Sequence, residues 1–159
     1  ASYNPESFPC LAGCTLMIRT RIIGTGSYLP ARIVTNEEVA SGLRLTPAQI
    51  VRLTGIHERR WAQDHEASSD MAIEAGRWAL DASACDPSAI DAIILSTTSP
   101  DMAFPSTACY VQRGLGCRRV GAFDVSASCS GFLYGLSMAQ AMIQSGQART
   151  CLVAASEVK

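Results

Sequence analysis

Lysine is almost missing from this chain. Of its 13 basic residues twelve are arginines, and the single lysine is the last residue, Lys159. Against 14 acidic residues the net charge is -1, which leaves no basic footprint for nucleic acid. No apolar run approaches the roughly 18–20 residues needed to span a bilayer. Residues 1–5 (ASYNP) lack the charged start and apolar stretch of a signal peptide, so a cytoplasmic location and no membrane partner are expected. The seven cysteines (10, 14, 85, 109, 117, 129 and 151) are odd in number and scattered, unlike a disulfide framework. Only Cys10 and Cys14 are close, and no second pair of zinc-site spacing accompanies them, so no metal site is expected. Internal repeats and low-complexity segments are absent. The chain that remains to be read has 159 residues, 48% apolar and 17% charged, enough for one domain with a sizeable core and too apolar for intrinsic disorder.

Residues 1–16 show no periodicity and read as an N-terminal extension or expression remnant, with the folded part at 17–159. From Met17 onward strands and helices alternate. Residues 19–25 read as a strand ending at Gly24-Thr25-Gly26. Asn36-Glu37-Glu38 looks like a helix start with Asn36 as N-cap, and Thr46-Pro47 repeats that signal. Ser68-Ser69-Asp70 opens a longer helix, whose Met71, Ala75, Trp78 and Ala82 line one face. Further strands are expected at 91–98, 120–126 and 150–156, with helices at 105–116 and 128–145 between them. This order implies βαβ units, and the near-continuous apolar character of the later strands implies a mostly parallel sheet with helices on both faces. The chain stops three residues after the last strand, which leaves an open edge and suggests part of a larger protein.

The stretch AFDVSASCSGF (122–132) is the most informative. A strand runs into a helix through small residues, and Cys129 falls in the first turn. Backbone N–H groups and the helix dipole there favour negative charge, and so a thiolate nucleophile. The Cys129 N–H is a candidate oxyanion donor, in the manner of a nucleophile elbow with Cys in place of Ser. The next helix is apolar on nearly all sides at first (Phe132, Leu133, Tyr134, Leu136, Met138), which predicts a buried helix with Cys129 at the floor of a deep pocket. An inert core thiol is the competing reading, and pattern alone leaves both open. Cys85, Cys109 and Cys151 read as core or filler. His57 and His65 lie in charged surroundings and read as solvated, as do Arg44, Arg52, Arg59 and Arg60, although these arginines could together hold a phosphate. The Gly24-x-Gly26 pair hints at a dinucleotide fingerprint, but Leu29 stands where a third glycine is required, so NAD binding is rejected.

FDVSASCSGF (123–132) resembles the active-site segment of the 3-oxoacyl-acyl carrier protein synthase III family, the β-ketoacyl synthases III. Three further motifs agree in the same order: IIGTGSYLP (22–30), TGI-x-ER (54–59), and TTS (97–99) with FPS (104–106). The resemblance implies the first half of a duplicated, thiolase-like α/β fold, with the C-terminal half absent. It implies that Cys129 takes an acyl primer as a thioester from acyl-CoA or acyl carrier protein, with no cofactor, and that a malonyl group on acyl carrier protein is then decarboxylated and condensed onto it. That second step, and the second oxyanion donor, belong in the family to the absent half, which supplies a His and an Asn. Thr98 matches a pocket-lining Thr. Phe104 matches a Phe that reaches into a partner subunit's acyl pocket, which implies a homodimer; a hydrophobic staple before the next helix is the alternative for Phe104. Gln49 and Leu53 stand where well-known members carry a Trp and an Arg that hold coenzyme A, which favours a carrier-protein-bound donor or a specialised-metabolism synthase. The leading expectation is an acyltransferase half. A non-catalytic acyl-binding or scaffold half that pairs with another chain is the alternative, and a Cys129 hydrolase is disfavoured by the apolar surroundings and the lack of a local base.

Overall fold

A computed structural model describes residues 18–158. The expected extension at 1–16 and the pair Cys10 and Cys14 lie outside the described residues. Among the described residues five strands and five α-helices follow in the order β1 (Arg32–Thr35), α1 (Asn36–Ala40), α2 (Pro47–Thr54), β2 (Glu58–Trp61), α3 (Ser68–Ser83), β3 (Ala92–Ser96), α4 (Thr107–Gly114), β4 (Gly121–Val125), α5 (Gly131–Gln144) and β5 (Cys151–Ala155). Strands β4, β3 and β5 form a parallel sheet in that order, with β3 in the middle. Every residue of β3 is buried, so both faces of the sheet are covered. Alternation along the strands separates the two faces. Ile93, Leu95 and Leu152 join Ala72, Leu80, Ala108 and Val111 in the main core under α3 and α4. Ile94, Ser96 and Val153 face α5 on the other side. Among the described residues no helix is long and apolar enough to cross a membrane.

Local chemistry explains most of the element ends. Thr46 caps α2 in a reciprocal box: the Gln49 N–H donates to Thr46 Oγ1 (3.3 Å) and the Thr46 N–H to Gln49 Oε1 (2.7 Å). Helix α2 stops at Gly55, whose φ of +72° suits glycine. The N-cap of α1 is Thr35 and not Asn36; Asn36 is buried, donates to the Ile56 carbonyl (2.8 Å) and accepts from Arg59 (2.7 Å). Helix α4 begins at Thr107, two residues after Pro105, and α5 begins at Gly131 after a short 3-10 turn at Ser128–Ser130.

Three expectations need correction. Residues 19–25 form no strand: they pair with no described strand, and the backbone at Gly24 lies instead against α3. There Gly24 and Gly26 have a packing role, because a Cβ on Gly26 would come within 2.5 Å of the Ala79 nitrogen and 2.8 Å of the Trp78 Cβ. That contact also explains why Trp78 and Ala82 are not on the core face. The buried stripe of α3 is Ala72, Gly76 and Leu80, at strict four-residue steps, while Trp78 is exposed. The third correction is an antiparallel ribbon, β1 with β2, in a segment read as merely charged. Arg59 and Arg60 are structural in it: Arg59 reaches Asn36, and Arg60 donates to the Pro30 carbonyl (3.2 Å), so neither joins a phosphate cluster with the exposed Arg44 and Arg52.

The sheet's amino end is tied by Asp91. Its carboxylate accepts the Arg149 N–H (2.7 Å) and the Thr150 N–H (3.1 Å) and pairs with Arg118. Those two backbone donors first, and the Arg118 charge after them, hold its carboxyl below the ordinary aspartate range. A depressed carboxyl stabilises the fold above its unfolded-state value, and that contribution is lost as pH falls through the lowered folded-state value. Asp91→Asn is therefore expected to cost about 1–3 kcal/mol at neutral pH and to flatten the acid limb of stability. Denaturant melts of the native protein from neutral to strongly acid pH check this; acid limbs that run parallel in mutant and parent would contradict it.

Candidate functional site

The carboxyl ends of three parallel strands meet at one edge of the sheet, the usual place for a ligand crevice in an open α/β sheet. Beyond β4 comes the turn 126–130, beyond β3 comes Thr97–Thr98–Ser99, and beyond β5 comes Ser156–Glu157. The ends are laced together: the Thr97 N–H donates to the Val125 carbonyl (3.2 Å) and the Ser156 N–H to the Ser96 carbonyl (3.1 Å).

Cys129 sits in the 3-10 turn between β4 and α5, as a free, exposed thiol. Ser128 before it has φ of +46°, a left-handed conformation that an L-residue adopts at a cost of about 1–2 kcal/mol. The turn is closed by hydrogen bonds from the Ser130 N–H (3.2 Å) and Ser130 Oγ (3.0 Å) to the Ala127 carbonyl, and the Gly131 N–H donates to the Ser128 carbonyl. Strain held by such bonds is frequent at functional turns.

Helix α5 departs from the sequence expectation, because it is not buried all round. Gly131, Gly135 and Ala139 face the sheet and are buried, whereas Phe132, Leu133, Tyr134 and Met138 are 42–65% exposed. The small residues let the helix lie so close that its large side chains project away from the sheet. No described residue covers them fully, so Cys129 lies at the surface of the described residues and not at the floor of a deep pocket.

Thr98 comes just after β3, the neighbour of β4, so the fold brings it to the same sheet edge as Cys129. Its N–H donates to Glu157 Oε1 at 2.8 Å and its hydroxyl lies 3.0 Å from both Glu157 oxygens. Phe104 is 86% exposed on the loop between β3 and α4, so it does not act as an internal staple for α4. His57 and His65 are exposed on the ribbon side of the molecule. Cys109 is half-buried in α4, Cys85 lies just past the end of α3, and Cys151 is the first residue of β5, where burial foremost and the Asp91 charge push its thiol pKa up. An open groove of about 780 Å³ runs from Tyr28, Pro30, Arg60 and Met71 to Ser156 and Glu157 at the end of β5; it is lined by none of Cys129, Thr98 or Phe104.

Two carboxylates at this edge were not singled out from the sequence. Glu157 is one. The other is Asp124, inside the FDVSASCSGF motif, whose oxygens accept the Thr107 N–H (2.7 Å) and the Ala108 N–H (2.8 Å). It caps α4 from the neighbouring strand, a task that the N-cap Ser106 side chain leaves undone. The signal was present: a carboxylate in an otherwise apolar strand must find donors when the sheet is covered.

The comparisons with known proteins agree with this geometry. The family model described as 3-Oxoacyl-[acyl-carrier-protein (ACP)] synthase III matches residues 123–159, which include the Cys129 turn. Beta-ketoacyl-[acyl-carrier-protein] synthase III of Ehrlichia canis is 49% identical over 142 residues, covering 89% of this chain and 44% of the relative; that of Rhodospirillum rubrum is 50% identical with the same coverage. The crystal structure of 3-oxoacyl-[acyl-carrier-protein] synthase III from Aquifex aeolicus superposes with a TM-score of 0.84 at 44% identity, over 87% of this chain and 45% of that one. The priming β-ketosynthase of the R1128 polyketide pathway gives 0.83 at 38% identity, over 86% of this chain and 41% of that one. The fold is thus a thiolase-like α/β fold. The chain is similar to 3-oxoacyl-[acyl-carrier-protein] synthase III proteins over most of its own length, and it spans about 44% of the length of the curated relatives it matches.

Asp124→Ala is expected to remove the cap of α4 and cost about 1–2 kcal/mol. Hydrogen exchange of the Thr107 and Ala108 amides in the native protein should quicken relative to β3. Unchanged protection there would show that Asp124 does not hold the helix.

Proposed function

We propose that this chain carries the nucleophile of an acyltransferase of the 3-oxoacyl-[acyl-carrier-protein] synthase III type. The observation that carries the reading is Cys129, an exposed thiol on a strained turn from β4 into α5, within the segment that the family model matches. The Cys129 thiolate attacks the carbonyl carbon of an acyl thioester. A new S–C bond forms, the donor's S–C bond breaks, and the donor thiol leaves with the proton that Cys129 gave up. The Ser130 and Gly131 N–H groups are committed to the turn's own carbonyls, and the N–H of Cys129 itself is the candidate oxyanion donor.

In the second step malonyl-acyl carrier protein loses CO2, and the carbanion so formed attacks the acyl carbonyl. The Cys129 S–C bond breaks and the thiol regains a proton. The family resemblance assigns a His and an Asn to this step; His57 and His65, in the loops on either side of β2, do not match that motif. Thr98 lines the acyl site, and Phe104 reaches a second copy of the chain in a homodimer, a role its 86% exposure supports. The donor is carrier-protein-bound: Gln49 offers a capping amide, engaged with Thr46, at the place of an aromatic platform for coenzyme A.

The exposed apolar side of α5 favours a second reading, a non-catalytic acyl-binding or scaffold half that pairs with another chain. One experiment separates the two. The native protein and its Cys129→Ser variant are incubated with malonyl-acyl carrier protein and the same acyl group on carrier protein or on coenzyme A. The synthase reading predicts a 3-oxoacyl product with the parent, faster from the carrier-protein donor, and none with the variant. Equal product from both proteins would contradict Cys129 as nucleophile, and binding without product from the parent would favour the scaffold.

A further inference from the structure

Of the two carboxylates at the crevice edge of the sheet, Asp124 caps α4 and Glu157 holds the end of β3. Glu157 lies just beyond β5, and its oxygens gather donors from the end of β3. The Thr98 N–H donates to Oε1 at 2.8 Å, the Thr98 hydroxyl lies 3.0 Å from Oε1 and from Oε2, and Ser99 Oγ donates to Oε2 at 2.7 Å. Ser99 Oγ in turn accepts the Val158 N–H at 2.8 Å, so the ends of β3 and β5 are latched in both directions.

The donor sense of these contacts is fixed by chemistry. An ionised carboxylate accepts only, so the Thr98 hydroxyl is the donor, and a threonine hydroxyl has one proton to give. Charge-assisted bonds of this kind are the stronger ones, so the Thr98 O–H stays directed at Glu157. Thr98 then has no proton to offer a substrate. It meets the crevice as a methyl group and an oxygen that can only accept.

We infer that Glu157 is a specificity-determining positioning residue: by taking the Thr98 proton it makes this wall of the acyl site non-donating, so that the site prefers hydrocarbon chains over chains carrying an acceptor oxygen. The inference rests on the proposed function, since it assumes that an acyl group on Cys129 lies beside Thr98. An ether oxygen in the acyl chain loses its water on entering such a site and gains no donor in return, which penalises it against the methylene it replaces.

The test uses matched carrier-protein donors, a hydrocarbon acyl chain and a set of oxa analogues in which each methylene in turn becomes oxygen. The readout is the ratio of loading rates on Cys129 of the native protein, followed by intact mass. The parent should prefer hydrocarbon. Glu157→Ala frees the Thr98 proton, and the ratio for at least one oxa position should fall roughly tenfold, the gain of one net hydrogen bond. Glu157→Gln, which keeps an acceptor for the hydroxyl, should stay within about twofold of the parent, and Glu157→Ala with Thr98→Val should restore the preference. A ratio unmoved by Glu157→Ala, or one that falls equally with Thr98→Val present, overturns the inference while leaving the proposed function standing. Should Glu157→Ala not fold, Thr98→Val alone decides: a ratio within about twofold of the parent supports the committed proton, and a tenfold change shows that the hydroxyl already serves substrate. No loading of the parent by any donor overturns the proposed function and this inference with it.

Discussion

Helix α5 has to lie close on strands β3 and β5, and the rest of the site depends on that approach. A Cβ at position 131 would run into the Ser96 side chain, with the Ser96 Cβ at 3.0 Å, and one at 135 would stand 2.9 Å from Val153 Cγ1. Only glycine fits at both places without displacing the helix. The consequence reaches back one turn. Because the first residue of α5 is pressed against the end of β3, the chain leaving β4 has only residues 126–130 in which to turn into the helix axis. Ser128 absorbs the geometry in a left-handed conformation, and Cys129 is left on the outside of the bend. Packing, backbone strain and thiol exposure are therefore one constraint seen at three scales.

Carboxylates do the rest of the positioning. Asp91 ties the amino ends of β3 and β5, Asp124 ties β4 to the start of α4, and Glu157 ties the carboxyl end of β5 to that of β3. Each accepts backbone N–H groups that would otherwise be left without partners where an element starts or stops. A parallel sheet of three strands has few ladder bonds of its own, so these cross-element ties set how precisely the strand ends, and the side chains just beyond them, are held. The crevice edge carries two of the three. The polar residues of the site region thus serve first to fix its geometry, and they leave Cys129 as an exposed thiol among the described residues there.

The sheet and its helices were legible in the sequence because their signals are local. The apolar runs 91–98, 120–126 and 150–156 contain the three parallel strands, and Thr46-Pro47 and Ser68-Ser69-Asp70 mark true helix starts. Cys129 was legible because the small-residue turn and the glycines after it are contiguous. The features that escaped were decided by contacts distant in sequence. Residues 19–25 have strand composition but pair with no described strand, and Gly24 meets α3 instead. Trp78 keeps the helical period of Met71 yet faces away from the core, because that side of α3 receives the backbone of Gly24 and Gly26. The depth expected around Cys129 failed for a related reason. An apolar helix predicts burial, but the stripe that meets the sheet is Gly131, Gly135 and Ala139, and its bulky residues point the other way. Glu157 gave no signal at all, since its partners lie some 58 and 59 residues earlier.

The most direct test is to map covalent adducts on the native protein after incubation with a mixed pool of acyl thioesters. Intact mass and then peptide mapping should show a single acyl group, carried by Cys129 and by none of Cys85, Cys109, Cys117 or Cys151. An adduct on another cysteine, or no adduct while the protein is folded, would contradict the claim that the turn between β4 and α5 presents the nucleophile.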